Sequence, residues 1–202
     1  MKAGSHKVST EIRREQIVQS ALRIIADKGA RSLTTAAIAK DVGMSEANIY
    51  RHFRSKDEIL SETVAKIGAG LRAKLQGVIH TGPETRPLER LNKMFMLHIE
   101  YVEKNEGIPR LIFSEEIHAG NQELKQRLLQ SIDSYAAQLE SLIKEGQKAG
   151  AIQKDINPKQ TAVMFIGMIQ ATILRWSLSG FSFSLAAEGR KLWDNFQKCI
   201  EV

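Results

Sequence analysis

Ser45 to His52 concentrate hydrogen-bonding chemistry in one short run, Ser-Glu-Ala-Asn-Ile-Tyr-Arg-His. An asparagine amide matches the donor–acceptor edge of adenine, and an arginine guanidinium matches the two acceptors of guanine. Tyrosine hydroxyls and histidine N–H groups suit phosphate oxygens, which fix register without reading sequence. On a helix from Glu46 to Phe53 with Ser45 as N-cap, Ile49 and Phe53 fall together and face inward. Ala47, Asn48 and Arg51 then share the opposite side, with Tyr50 and His52 flanking it. The outward Ala47 is small enough for the helix to sit deep in a groove. This is the chemistry of a DNA-reading helix rather than of a catalyst.

Other constellations are weaker. Glu115-x-x-His118 has the (i, i+3) spacing of carboxylate-bridged di-iron helices, but that chemistry needs a second such pair, which the sequence lacks. Gly68-Ala-Gly70 lies inside a predicted helix and so is no phosphate loop. A single cysteine, Cys199, excludes an intramolecular disulfide and a thiolate metal cluster. No catalytic residue, metal or cofactor is expected. The start, Met-Lys-Ala-Gly-Ser-His-Lys, has no apolar signal-type run, and a reducing bacterial cytoplasm is the expected compartment. Net charge is +6 over 202 residues. Residues 1–60 carry 11 Lys/Arg against 7 Asp/Glu, and the remainder 18 against 16, so the excess lies with the nucleic-acid chemistry.

The elements that must position these groups follow from spacing. Ile38 and Val42 form the inner face of a first short helix, Gly43 makes the turn, and the Glu46–Phe53 helix follows, a helix-turn-helix pattern. Thr34 and Thr35 stand at the start of the first helix, where a hydroxyl either caps it or touches phosphate. Ser55-x-x-Glu58 is a capping box opening a long helix from Lys56 to about Val78, which places Lys56 in its first turn. A lysine there opposes the helix dipole unless its partner is phosphate. Upstream, a helix from about Thr10 to Lys28 ends at Gly29. Downstream, helices are predicted from Pro87 to about Lys104, Pro109 to about Ala119, Asn121 to Lys148, Pro158 to Ser179 and Leu185 to Ile200, with no strand-type alternation. The fold class is all-α, with about nine helices.

The run Leu33-Thr-Thr, Ile38-Ala39, Val42-Gly-Met-Ser45, Ala47-Asn-Ile-Tyr50, His52-Phe53 and Ser55-Lys-Asp-Glu-Ile-Leu60 resembles the DNA-binding domain of the TetR (AcrR-like) family of bacterial transcription regulators. Ile17, Ala21, Leu22, Ile25, Ala26 and Lys28-Gly29 match the family's first helix, so the likeness covers roughly residues 10 to 60. It implies phosphate contacts from Thr35, Tyr50, His52 and Lys56, and base reading from Ser45, Glu46, Ala47, Asn48 and Arg51. Many members have glycine where this chain has Ala47. Glu46 is acidic at the groove end and should either accept from cytosine or face away from phosphate.

The resemblance divides the chain into a DNA-binding domain, residues 1–55 with 1–9 as an arm, and an effector-binding and dimerisation domain, residues 56–202. It also implies a ligand chamber in the middle helices, for which Met94, Phe95, His98, Tyr101, Phe113, His118, Met164, Met168 and Trp176 are the candidates. The helix from Pro158 is apolar nearly all round, so it is buried on every side, either within one chain or against a second copy. The family likeness favours the second copy. Phe165, Ile166, Ile169, Ile173, Leu192 and Phe196 are then interface residues, with Gly167 allowing close approach. A two-fold homodimer predicts a palindromic DNA operator. The expected function is a repressor released by a small, largely apolar effector. The alternative is a nucleoid-type DNA-binding protein of the same fold without an effector.

Overall fold

Capping residues set the helix ends throughout the computed structural model, which describes residues 9–79, 86–119 and 122–202. Ten α-helices and one 3-10 turn occur among the described residues. They are α1 (Thr10–Lys28), α2 (Thr35–Val42), α3 (Glu46–Tyr50), α4 (Lys56–Ile79), α5 (Pro87–Glu103), α6 (Gly107–Ile112), α7 (Glu115–His118), α8 (Gln122–Lys148), α9 (Pro158–Leu178) and α10 (Leu185–Ile200). The all-α expectation holds. The stretch expected as one helix from Pro109 to Ala119 divides into α6 and α7, because the chain leaves helical hydrogen bonding at Phe113 and restarts at Ser114. The N-cap expected at Asn121 lies outside the described residues.

Helices α1 to α3 and the first turns of α4 form a small head around Ile17, Ile25, Leu33, Ile38, Ile49, Phe53 and Ile59, all essentially inaccessible to solvent. The body packs α5, α8, α9 and α10 around an aromatic nucleus. Phe165 meets the edges of Phe95 at 5.3 Å and Phe196 at 6.0 Å, and Trp193 closes the group. By length and composition α9 is apolar enough to cross a membrane, yet Phe165, Ile169 and Trp176 on it are buried in this nucleus and its surroundings.

Two connections join head to body. Helix α4 passes from one into the other without a break, and α6 lies against α1. At the second contact a side chain on Gly107 would stand 2.7 Å from the Leu22 carbonyl oxygen. Only a residue without Cβ permits that approach. Arg31 and Glu115 add an ion pair at 2.6 Å across the same seam, but both ends are exposed and contribute little. Gly107→Ala is therefore expected to lower stability by roughly 1–3 kcal/mol, through displacement of backbone from backbone. Urea unfolding compared with Gly77→Ala, where the added methyl meets open space, checks it.

Candidate nucleic-acid interface and interior cavity

Thr34 caps α2 by accepting the Ala37 N–H at 3.0 Å, and Ser45 caps α3 by accepting the Asn48 N–H at 3.3 Å. Between them Gly43 takes a left-handed conformation (φ 67°), which makes the tight turn possible without a Cβ clash. Regular helix in α3 stops at Tyr50, three residues short of the expected end, although Phe53 still donates its N–H to the Ile49 carbonyl at 3.0 Å. Ile49 and Phe53 point into the head as spacing required. Ser45, Glu46, Ala47, Tyr50 and Arg51 are exposed, and Asn48 is half-buried.

The flanks of this surface are tied together. The Thr35 hydroxyl donates to the Glu46 carboxylate at 2.8 Å and lies 3.4 Å from the Tyr50 hydroxyl. Glu46 is thus held by a neighbour on α2, while Thr34 serves as the cap and Thr35 does not. Lys56 begins α4, half-buried beside the exposed Arg54. The capping box is present in altered form: Ser55 accepts the Glu58 N–H at 3.2 Å, but Glu58 reaches back to the Arg54 N–H at 2.7 Å rather than to the cap residue. That backbone N–H, with Arg14, holds the Glu58 carboxyl below the ordinary carboxylate range. Sequence reasoning missed Arg14. Its guanidinium lies 4.0 Å over the Phe53 ring, donates to the His52 carbonyl and reaches Glu58 at 3.2 Å and Glu62 at 3.3 Å. It clamps α1, the end of the recognition segment and α4 together. Partners 38 to 48 residues away leave no local signal.

A cavity of about 350 Å³ opens in the body between α4, α5, α6, α8 and α9. Its wall is mainly Val, Ile and Leu, and among the described residues its lining includes Arg72 and Arg127 but no Asp or Glu. Of the nine expected chamber residues, His98 and Phe113 line it. Met94 and Phe95 belong to the packed interior instead. Tyr101 donates to the Ile67 carbonyl at 3.1 Å beside a separate crevice against α1. His118 is exposed, Met164 is 59% exposed on the far side of α9, Met168 packs against the core, and Trp176 donates to the Phe183 carbonyl at 2.9 Å. Tyr135, Ser131 and Arg72, which do line the cavity, carry no sequence signal apart from their neighbours. Burial without a charge partner drives the His98 pKa down to about 4.

The expected interface residues are also relocated. Phe165, Ile166, Ile169, Ile173 and Phe196 are buried within one chain, and Leu192 is half-buried against the same core. Of them, Ile166 and Ile173 line the cavity. Of the six, Leu192 alone keeps appreciable surface, and the other five are spent on packing within the chain. The outward face of α9 is a different apolar row, Val163, Met164, Gly167, Ala171, Leu174 and Leu178, while the outward face of α10 is polar. Among the described residues no group of three His, Cys, Asp or Glu could hold a metal ion, and Glu115 pairs with Arg31.

Two family models match the chain. "Bacterial regulatory proteins, tetR family" covers residues 17–63, and "Tetracyclin repressor-like, C-terminal domain" covers residues 87–187. The chain belongs to the TetR family. Both models describe regulators. The nucleoid occlusion factor SlmA of Vibrio campbellii is 27% identical over 192 residues, 95% of each chain. Among solved structures, the TetR-like fold recurs in the Bacillus subtilis regulator FadR in complex with stearoyl-CoA (21% identity, 90% of this chain and 96% of that one, TM-score 0.76). It recurs again in a Saccharomonospora viridis regulator in complex with choline (21% identity, 95% and 99%, TM-score 0.79).

The buried imidazole makes this TetR-family chain sensitive to mild acid. Unfolded, His98 takes up a proton near pH 6.5, and folded only near 4. Between those values the unfolded state binds more protons, so stability falls as pH drops from about 6.5 to about 4 and the effect levels off below. The full effect is roughly 3 kcal/mol. Urea midpoints measured from pH 7 to 5 are expected to decline in the parent and to flatten in His98→Gln.

Proposed function

We propose that this regulator is a ligand-responsive repressor that binds a palindromic operator as a homodimer and is released by a small, largely apolar effector. It acts on DNA in the bacterial cytoplasm. The division into a DNA-binding unit to residue 55 and an effector and dimerisation unit from residue 56 is part of this reading. The observation that carries it is the pairing of an exposed, hydrogen-bonding α3 surface with an apolar cavity walled by α4, whose first turn Arg14 ties to the end of the recognition segment. Asn48 and Arg51 read bases, with Ala47 at the floor of the groove, while Ser45 and Glu46 sit at its edge. Thr35, Tyr50, His52 and Lys56 contact phosphate. The DNA-bound and effector-bound forms differ in the spacing of two α3 helices, so each ligand weakens the other by the same factor.

The dimer uses the outward apolar row of α9. Val163, Met164 and Leu178 are 54%, 59% and 79% exposed, and a contiguous row of large apolar side chains facing water marks an interaction surface. Gly167, with open space above it, lets two copies of α9 approach.

A second reading is supported by the likeness to SlmA: a constitutively DNA-bound, nucleoid-type protein of the same fold. Selection of DNA fragments by the purified protein, followed by a small-molecule release screen, separates the two. Release by a cavity-sized compound carries the first reading; binding insensitive to every cavity ligand carries the second.

Lys56→Ala is expected to weaken binding to all sequences and to lower the salt slope by about one. Arg51→Ala is expected to relax preference at a single base pair, at a loss of about 1–3 kcal/mol for the selected site. Competition with random DNA across a salt series reads both, and equal loss on selected and random DNA would remove Arg51 from the reading set. Leu174→Arg on α9 is expected to yield monomers in sedimentation and to abolish symmetric protection in footprints.

A further inference from the structure

Two polar groups in the cavity wall have no partner. His98 Nδ1 and the Tyr135 hydroxyl are shut away from solvent, and neither finds a hydrogen-bond partner among the described residues. Their rings stand 5.7 Å apart, one on α5 and one on α8, and both line the cavity. Polar groups stranded in this way cost free energy until something bonds to them. As placed, neither polar atom is open to the cavity, so contact with a guest requires a ring to turn its polar edge toward it.

A second set of groups lies at the outer end. Arg72 is exposed, donates to the Ser131 hydroxyl at 3.3 Å, and has no ion-pair partner among the described residues. Arg127, also exposed, is held by Glu123 at 2.6 Å, which partly offsets its charge. Along α8, Arg127, Ser131 and Tyr135 follow at intervals of four residues. Arg127 is therefore about 12 Å of helix rise from Tyr135, and Ser131, which accepts from Arg72, about 6 Å.

We infer that the cavity takes an amphiphilic acid whose anionic end is held by Arg72 at the mouth and whose apolar body carries a neutral oxygen, hydroxyl or carbonyl, to Tyr135 and His98 at the buried end. This rests on the effector reading above and narrows it to a ligand class. The anion belongs at the mouth because a carboxylate at the inner end would meet no cation there. A quaternary ammonium is disfavoured, since the described lining residues include two arginines and no carboxylate. Size agrees with one medium-length chain: at roughly 30 Å³ per heavy atom, the share of a water in the liquid, 350 Å³ houses about a dozen.

Four probes of one chain length test the inference on the full-length protein by calorimetric titration: 10-hydroxydecanoate, decanoate, 1,10-decanediol and decyltrimethylammonium. The parent should bind 10-hydroxydecanoate most tightly and decyltrimethylammonium least. The terminal hydroxyl should improve affinity about threefold to tenfold over decanoate, and that gain should vanish in Tyr135→Phe while decanoate itself binds as before. The carboxylate should improve affinity about tenfold over the diol, and that gain should vanish in Arg72→Gln. Equal binding of the ammonium, gains that persist in both variants, or no binding by any acid below millimolar would overturn the inference. DNA release is read in parallel on the selected fragment. The expected binding pattern without release leaves the ligand class standing and sinks the effector reading. Release by a compound of another class, with none of the acids bound, sinks the ligand class and leaves the effector reading standing.

Discussion

One unbroken helix is shared by two sites. The first turns of α4 carry Lys56 and the head-core residues Ile59 and Leu60, while Val64, Leu71 and Leu75 wall the cavity. Lys56 and Leu75 are separated by about 28 Å of helix rise. Close-packed interiors do not deform continuously, so a guest that thrusts against the middle of α4 must move its end or stay out. The Arg14 clamp fixes that end to the recognition segment. Any displacement of α4 is thereby delivered to Phe53 and His52, and through them to the outward face of α3.

The Gly107 contact ties the same chamber to the head by a second route. There α6 packs with no side chain between its backbone and that of α1. Helix α6 also supplies Ile108, Pro109 and Ile112 to the cavity wall, so the seam with the head and the chamber share one element. A ligand with different contacts in two head positions shifts their populations by its differential affinity and no more.

Much of this was legible from local chemistry. Helix ends at Gly29, Ser45, Asn157-Pro158 and Ser184-Leu185 follow from capping rules that act within four residues, and they lie where spacing put them. The outward face of α3 was legible because Ile49 and Phe53 leave only one inward direction. Helix α9 was not, for a physical reason: an apolar side chain serves equally in a core, in a cavity wall or at an interface. Periodicity marked Phe165 and Ile169 as hydrophobic but could not say that Val163, Met164 and Leu174 are the outward set. Met94 and Phe95 failed as chamber residues for the same reason. The cavity is defined by where α4, α5 and α8 diverge, a property of the backbone that no single residue type announces. Arg14, bonded to residues far along the chain, was illegible because nothing nearby requires it.

The cavity itself bears on the choice between a ligand-controlled regulator and a constitutive DNA-binding protein. A hollow of about 350 Å³ that opens at an exposed mouth holds water when no guest is in it. Water is held well only where polar partners line the wall, and here they are confined to Arg72, Arg127, a few serines and glutamines, and the His98–Tyr135 pair. A hollow lined mainly by apolar side chains, with exposed Arg72 and Arg127 on its rim, suits a guest better than water, and this favours a regulator that answers to a ligand.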